Sequence, residues 1–394
     1  MAAEENTGDW ILSHHAFKTW DDSPDSGLLW LHGKPGSGKS TLAKRVVVSK
    51  TNEATKFTQT KGHNASHSNP EKMRTLEEVD AEYVDQLATD RDIIVAAFFY
   101  SFRGGATEIS HTPMIRSLLY QILEGNSKLF PLFQSSYRDL STTEGGPKWT
   151  YEVLKSLFIS LRKTQTPLKI YIVVDAMDES DEGRRPEILD FLLDLCSSKS
   201  SCIFKGLIAS RPHLDIQKRL NKCGYIILQD ENRRDIEIVV SKGLKHLSEN
   251  QNIPQDKLDT VRDYLIKRCD GVFLWVSIVL RELEELVAVG ISGASVMKLL
   301  ESLPSDLVKL YERIVEKLKA KPNQIQKRGK KLLVWTAFAE RPMAIKELGD
   351  AIPIPSDPEP FTPKDDFMSE ERISPFEPVV ANCSGGLLEV NNVP

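Results

Sequence analysis

The chain has 394 residues, 40% of them hydrophobic and 27% charged, with a formal net charge of −5. That length suits two or three soluble domains, and the mild acidity offers no global attraction for nucleic acid or an anionic membrane surface. The longest mostly apolar stretches, Ile93 to Tyr100 and Val272 to Leu280, fall far short of the roughly 20 residues that span a bilayer.

The opening MAAEENTGDW has neither the basic nor the apolar region of a secretory signal. Five scattered cysteines form no C-x-x-C pair, which predicts reduced thiols in a cytoplasmic protein. Asp9 to Trp20 predicts a short amphipathic helix with Trp10, Ile11, Phe17 and Trp20 near one face. Residues 1–27 then read as an N-terminal helix and connector.

Leu28 to Leu31 reads as a buried strand, and Gly33 to Thr41 follows as GKPGSGKST. This is G-x-x-x-x-G-K-[ST] in the strand–loop–helix setting that the pattern requires. Gly33, Gly36 and Gly38 let successive backbone N–H groups curl around a phosphate. The helix that opens after them adds partial positive charge. Lys39 is expected to reach the β- and γ-phosphates and Ser40 to offer its hydroxyl to Mg²⁺. The predicted nucleotide cradle is Gly33, Lys34, Pro35, Gly36, Ser37, Gly38, Lys39, Ser40 and Thr41.

Residues 51–73 are polar and without periodicity, which predicts a flexible insertion, and Arg74 to Thr89 has helical spacing. Ile93 to Phe99 predicts a strand buried on both faces. Helices are expected over Pro113 to Leu123, Tyr151 to Arg162 and Pro186 to Cys196, and further strands over Lys169 to Asp175, Phe204 to Ser210 and Tyr225 to Leu228. Strands alternating with helices indicate a parallel α/β sheet. After Asp230 the pattern becomes helical, over Asp235 to Leu247, Asp256 to Arg268, Phe273 to Val287, Asp306 to Lys319, Ile325 to Phe338 and Lys346 to Ala351. Residues 352–378 read as a proline-rich loop and Gly386 to Val390 as a short strand.

A phosphate loop needs a partner that holds the metal, usually an aspartate at the carboxyl end of a buried strand. Asp175, after Ile170 to Val174, supplies it. Asp178 is the first choice, and Glu179 the second, for polarising an attacking water. Arg211, ending the next strand with Ser210 as a polar helper, is the candidate for facing the γ-phosphate.

Together GKPGSGKST, VVDAMDES and the strand ending in SRP resemble the NACHT domain of the STAND class of P-loop NTPases. The flanking FFYSFRG, RSLLYQIL, RRDIEIVV, GVFLWV, LPSDLVKLYERI and RPMAIKEL are similar to a fungal, nephrocystin-3-like version of it. The resemblance implies a five-stranded sheet of order 5-1-4-3-2 in a NACHT domain over residues 28–230, a helical domain over 231–303 and a winged-helix-like domain over 304–394. It implies ATP or GTP with Mg²⁺, slow hydrolysis used as a molecular switch, and self-association or effector and sensor partners. Fungal members of the group take part in non-self recognition and cell death.

Three departures stand beside it. Gly271-Val272-Phe273-Leu274 lacks the G-L-P that packs on the base in related proteins, which leaves ATP against GTP open. The sequence stops at Pro394, before the family's nucleotide-touching histidine, and it carries neither effector nor sensor repeats. A truncated or minimal, hydrolysis-deficient module is therefore one alternative, and a small-molecule P-loop kinase another. A basic cluster, Lys317, Lys319, Lys321, Lys327, Arg328, Lys330 and Lys331, offers charges for DNA phosphates, but a solvated helix face is the favoured reading of it.

Overall fold

The computed structural model describes residues 4, 6–64, 92–102, 108–141, 149–164, 167–197, 200–250, 255–288, 293–354, 376–385, 387–388 and 390. The chain divides into two compact units, Glu5–Asn232 and Arg233–Pro394, the latter with Met1–Glu4.

The first unit is built on five strands: β1 (Gly27–His32), β2 (Asp92–Phe99), β3 (Leu168–Asp175), β4 (Cys202–Ser210) and β5 (Gly224–Ile227). They pair in parallel in the order β2-β3-β4-β1-β5, which is the expected 5-1-4-3-2 read from the other edge. This is the α/β fold of P-loop NTPases. The side-chain period of 2 sends alternate residues to opposite faces. Leu28, Trp30, Ile170, Ile172, Val174, Phe204 and Ile208 pack under the helices His111–Gly125, Tyr151–Leu161 and Arg185–Ser197. Leu29, Leu31, Tyr171, Val173, Leu207 and Ala209 pack on the other face against Ile11, Phe17, Trp20, Leu42, Ala43 and Val46. Because the strands are parallel, all their carboxyl ends lie on one edge: His32 is in register with Ser210 and Ile227, and Asp175 with Phe99.

The amino-terminal stretch is strapped over the opposite ends of the strands by buried cations. Lys205 is fully buried, and its ammonium donates to the carbonyls of Trp20 (2.5 Å), Ser23 (2.8 Å) and Asp25 (2.8 Å). Burial pulls this ammonium down to about 8, while the three acceptors hold its charged form. Asp21 accepts from Tyr171 Oη (2.6 Å) and from Lys50 Nζ (2.5 Å), which also reaches Glu53. Lys169 Nζ donates to the Asp21 carbonyl at 2.8 Å. The helix carrying Lys50 is the one that begins at Lys39, so the strap fixes the same helix that closes the glycine loop.

Several expectations need correction. Asp9 to Trp20 is not one helix: it breaks at His14 (ψ 135°) into Trp10–Ser13 and His15–Asp22, and the His14 ring accepts from Ala16 N. The helix after the loop runs Lys39–Asn64, so the first part of the predicted insertion 51–73 is helical. Between Thr51 and Lys61 there is neither glycine nor proline, and a polar surface does not prevent helix formation. The rest of that insertion, and the helical spacing of Arg74 to Thr89, fall outside the described residues. β2 is covered on both faces, with Ile94 and Ala96 in one core and Ile93, Val95 and Phe99 packed on the other, but most of its residues are only partly buried because it is an edge strand of the described sheet, flanked by β3 alone. Helices Phe130–Ser141, Leu214–Leu220, Gly293–Ser302 and Glu377–Ser384 were not anticipated. The last begins inside the predicted loop 352–378, most of which lies outside the described residues.

The regular structure among the described residues of the second unit is helical. Their larger core gathers Val240, Leu265, Trp275, Val279, Leu300 and Leu310, and a smaller one joins Leu332, Leu348, Ile352, Val380 and Cys383. Leu387, Leu388 and Val390 form no strand, contrary to the strand expected over Gly386 to Val390. Among the described residues no helix is long and apolar enough to cross a membrane.

One buried group makes the first unit pH-sensitive. His111 is almost wholly buried and shares a 2.6 Å hydrogen bond with the Tyr100 hydroxyl. Burial lowers its pKa from 6.5 to about 4, with Asp181 opposing and Arg184 reinforcing the shift. A proton then binds the unfolded chain first, so stability is full above about pH 6.5 and falls as the pH drops toward 4. Urea midpoints are expected to decrease between pH 7 and pH 5 in the wild type, and His111→Gln is expected to flatten that decrease.

Candidate functional site

The loop after β1 sits where a ligand is expected in an open parallel sheet, outside the carboxyl ends and beside the place where strand order reverses. β1 lies between β4 and β5, and the loop leaves it at Gly33. Gly36 and Gly38 have φ of +71° and +93°, in the left-handed region that favours glycine. A Cβ on Gly33 would lie 2.8 Å from Ser37 Oγ and 2.9 Å from Gln229 Oε1. Lys39 opens the helix, and Leu42 N donates to Gly38 O at 3.0 Å. The first N–H groups of that helix have no intrahelical acceptor, so they face the hollow of the loop as donors.

Lys39 Nζ arches back over its own loop and donates to Gly33 O (3.0 Å) and Lys34 O (2.8 Å). Burial depresses its pKa; Asp178, Asp175 and Glu179 oppose this, and Arg211 adds to it. Those five charged residues, far apart in sequence, therefore share one electrostatic neighbourhood.

Asp175 ends β3 and is 3% exposed. Burial raises its pKa, against the hydrogen bond from the Ser40 hydroxyl. Its Oδ1 is buried with no hydrogen-bond partner. A buried carboxylate with an open oxygen beside a serine hydroxyl fits a divalent cation.

The acidic turn that follows is held in an unusual backbone conformation. Ala176 is left-handed (φ 52°, ψ 42°), and Met177–Glu179 form a 3-10 turn. Glu179 N donates to Ala176 O at 2.8 Å. Asp178 does not project freely: its Oδ1 accepts from Arg211 N (3.0 Å) and its Oδ2 lies 3.2 Å from Arg211 Nε. Glu179 Oε2 accepts from Phe102 N at 3.1 Å. The two residues predicted to polarise water thus each have a partner already, and one of them is the predicted phosphate-facing arginine. Ser210, expected as a polar helper, instead accepts from Trp30 Nε1 at 2.9 Å.

The residue that shapes this turn is Arg185, which sequence reading missed. It is 3% exposed. Its guanidinium donates to the carbonyls of Met177 (3.1 Å), Asp178 (2.9 Å) and Ser180 (2.8 Å), and it pairs with Asp215 at 2.9 Å. Also missed were His32, stacked on Trp30 at 4.0 Å, and the turn after β5 that carries Gln229 and Asn232. No local pattern marks an arginine after an acidic turn or an asparagine after a strand.

Of the basic cluster, Lys317 pairs with Glu282 and Lys319 with Glu316, while Lys331 donates to the carbonyls of Ile352 and Ile354. These ammonium groups are engaged within the second unit.

Known proteins share this arrangement of sequence. The family model described as Nephrocystin 3, N-terminal, matches residues 6–211, which include the glycine loop, the acidic turn and Arg211. The chain is 24% identical over 357 residues to the vegetative incompatibility protein HET-E-1 of Podospora anserina. That alignment covers 88% of this chain and 23% of the relative.

Two outcomes are expected at the acidic turn. Ala176→Gly should keep the urea midpoint or raise it slightly, because glycine adopts the left-handed conformation freely, whereas Ala176→Val should cost roughly 1–3 kcal/mol. Arg185→Leu should cost about 3 kcal/mol or more by leaving buried carbonyls and Asp215 without their donor, and Arg185→Lys should fall between it and the wild type in the same measurement.

Proposed function

This chain belongs to the nephrocystin-3 N-terminal family, and from that premise we propose that it is a nucleotide-dependent molecular switch with slow, Mg²⁺-dependent hydrolysis of ATP or GTP. Gly33 to Thr41 hold the phosphates, and Lys39 exchanges its two backbone acceptors for phosphate oxygens. Ser40 and Asp175 hold Mg²⁺, which supplies charge neutralisation on the phosphate oxygens. Among the described residues no group of three or more His, Cys, Asp or Glu could hold a metal unaided. Mg²⁺ commonly takes one or two carboxylates plus phosphate oxygens, and Asp175 is the carboxylate here.

The observation that carries this reading is the open, buried Asp175 Oδ1 beside Ser40, across from the glycine loop. Slow turnover follows from the neighbouring contacts. Asp178 accepts from Arg211 twice over and Glu179 accepts from Phe102 N, so either must break a contact to take a proton from water. A γ-phosphate competes with Asp178 for Arg211, which makes that pair a means of sensing which nucleotide is bound. The relative's part in vegetative incompatibility supports a role in a non-self-recognition scaffold, with self-association or effector and sensor proteins as partners in the cytoplasm. Within it we assign residues 28–230 to the nucleotide domain, 231–303 to a helical domain and 304–394 to a winged-helix-like one.

Titration with a fluorescent ATP or GTP analogue and Mg²⁺ tests the reading. Lys39→Ala should bind at least tenfold more weakly, and Asp175→Asn should lose the Mg²⁺ dependence of binding. Asp178→Asn should keep binding while turnover falls. Wild-type affinity in Lys39→Ala would remove the assignment.

A further inference from the structure

The glycine loop is backed by a short piece of chain with no assigned role. After β5, Leu228–Glu231 make one helical turn, closed by Asn232 N donating to Leu228 O at 3.0 Å. The turn meets the loop at two points. At its start, Leu228 and Gln229 crowd Gly33: an added Cβ there would come within 3.1 Å of Leu228 Cβ and 2.9 Å of Gln229 Oε1. At its end, Asn232 Nδ2 donates to Ser37 O at 3.2 Å, across 195 positions of sequence. Asn232 is 1% exposed, so this bond has little competition from water.

The contact controls a peptide plane. Ser37 C=O and Gly38 N–H belong to one trans peptide and point in opposite directions. Holding the carbonyl outward on Asn232 therefore turns the Gly38 N–H the other way, away from the backing turn. The loop's left-handed glycines, Gly36 and Gly38, leave this plane otherwise easy to rotate. Asn232 is also the last residue of the first unit. The next residue, Arg233, begins the 18-residue helix Arg233–Asn250 of the second.

We propose that Asn232 is a positioning residue that sets the Ser37–Gly38 peptide for phosphate binding and, through the same bond, makes the chain at the junction of the two units respond to nucleotide. The inference rests on the reading of the loop as a nucleotide site. Coupling of this kind runs both ways: whatever loosens residues 228–232 weakens nucleotide binding, and nucleotide stiffens those residues.

The test uses the full chain, a fluorescent ATP or GTP analogue with Mg²⁺, and amide hydrogen exchange over residues 228–240. In the wild type, nucleotide should slow that exchange. Asn232→Ala and the isosteric Asn232→Asp, which places a carboxylate against the Ser37 carbonyl, should weaken binding about five- to tenfold and abolish the response at 228–240. Asn232→Ser, with a shorter donor, should fall between them and the wild type. Variants with a lower melting temperature but unchanged affinity and unchanged nucleotide-dependent protection would show Asn232 to be structural only and overturn the proposal. Tight wild-type binding with no change in exchange at 228–240 would overturn it too. Absence of nucleotide binding in the wild type would remove the nucleotide reading and this inference together.

Discussion

Parallel pairing of β1 between β4 and β5 is the constraint on which the rest of the first unit depends. It sends every strand's carboxyl end to one edge, so the loop leaving β1 at Gly33 has the Arg211 end of β4 on one side and the turn Leu228–Glu231 on the other. The register of β3 with β4 brings Asp175 and the acidic turn to the same edge. No side chain at the site needs to reach far, because the sheet has already gathered the backbones that carry them. The apolar faces that drive this pairing, Leu28, Trp30 and Val174 below and Leu29, Leu31 and Val173 above, stabilise the sheet and place the loop in one step.

Within that frame, the polar groups are arranged so that few stand alone. Arg185 takes up the carbonyls of the acidic turn, Arg211 takes up Asp178, and Phe102 N takes up Glu179. Buried polar groups carry a high cost when unpaired, and among the described residues one oxygen of Asp175, next to Ser40, is such an atom, as are Ser37 Oγ and Gln229 Oε1 at the loop. The opposite edge of the sheet is equally committed, with Lys205 and Asp21 binding the amino-terminal stretch to β4, β3 and the Lys39–Asn64 helix.

Much of this could be read along the chain. The glycine loop and the β3 aspartate are local patterns, in which residue type and spacing state the chemistry directly. The strands were legible because short, continuous apolar runs such as Ile170 to Val174 are what a strand buried on both faces requires. Boundaries were weaker: the helix break at His14 depends on its own ring accepting from Ala16 N, and the Lys39–Asn64 helix continues through a polar stretch that carries no periodic signal. Helices such as Leu214–Leu220 are too short for periodicity to show.

By itself, then, the sequence determined the order of the five strands and most of the longer helices, the glycine-loop pattern and the aspartate that ends β3. Each of these is written in neighbouring residues. Tertiary structure alone decided which groups pair: Asp178 with Arg211 across 33 positions, Arg185 with the turn before it, Lys205 with Trp20, and Asn232 with Ser37 across 195. The physical reason is that a hydrogen bond between distant residues depends on where the sheet sets two backbones relative to each other, and no local spacing encodes that separation.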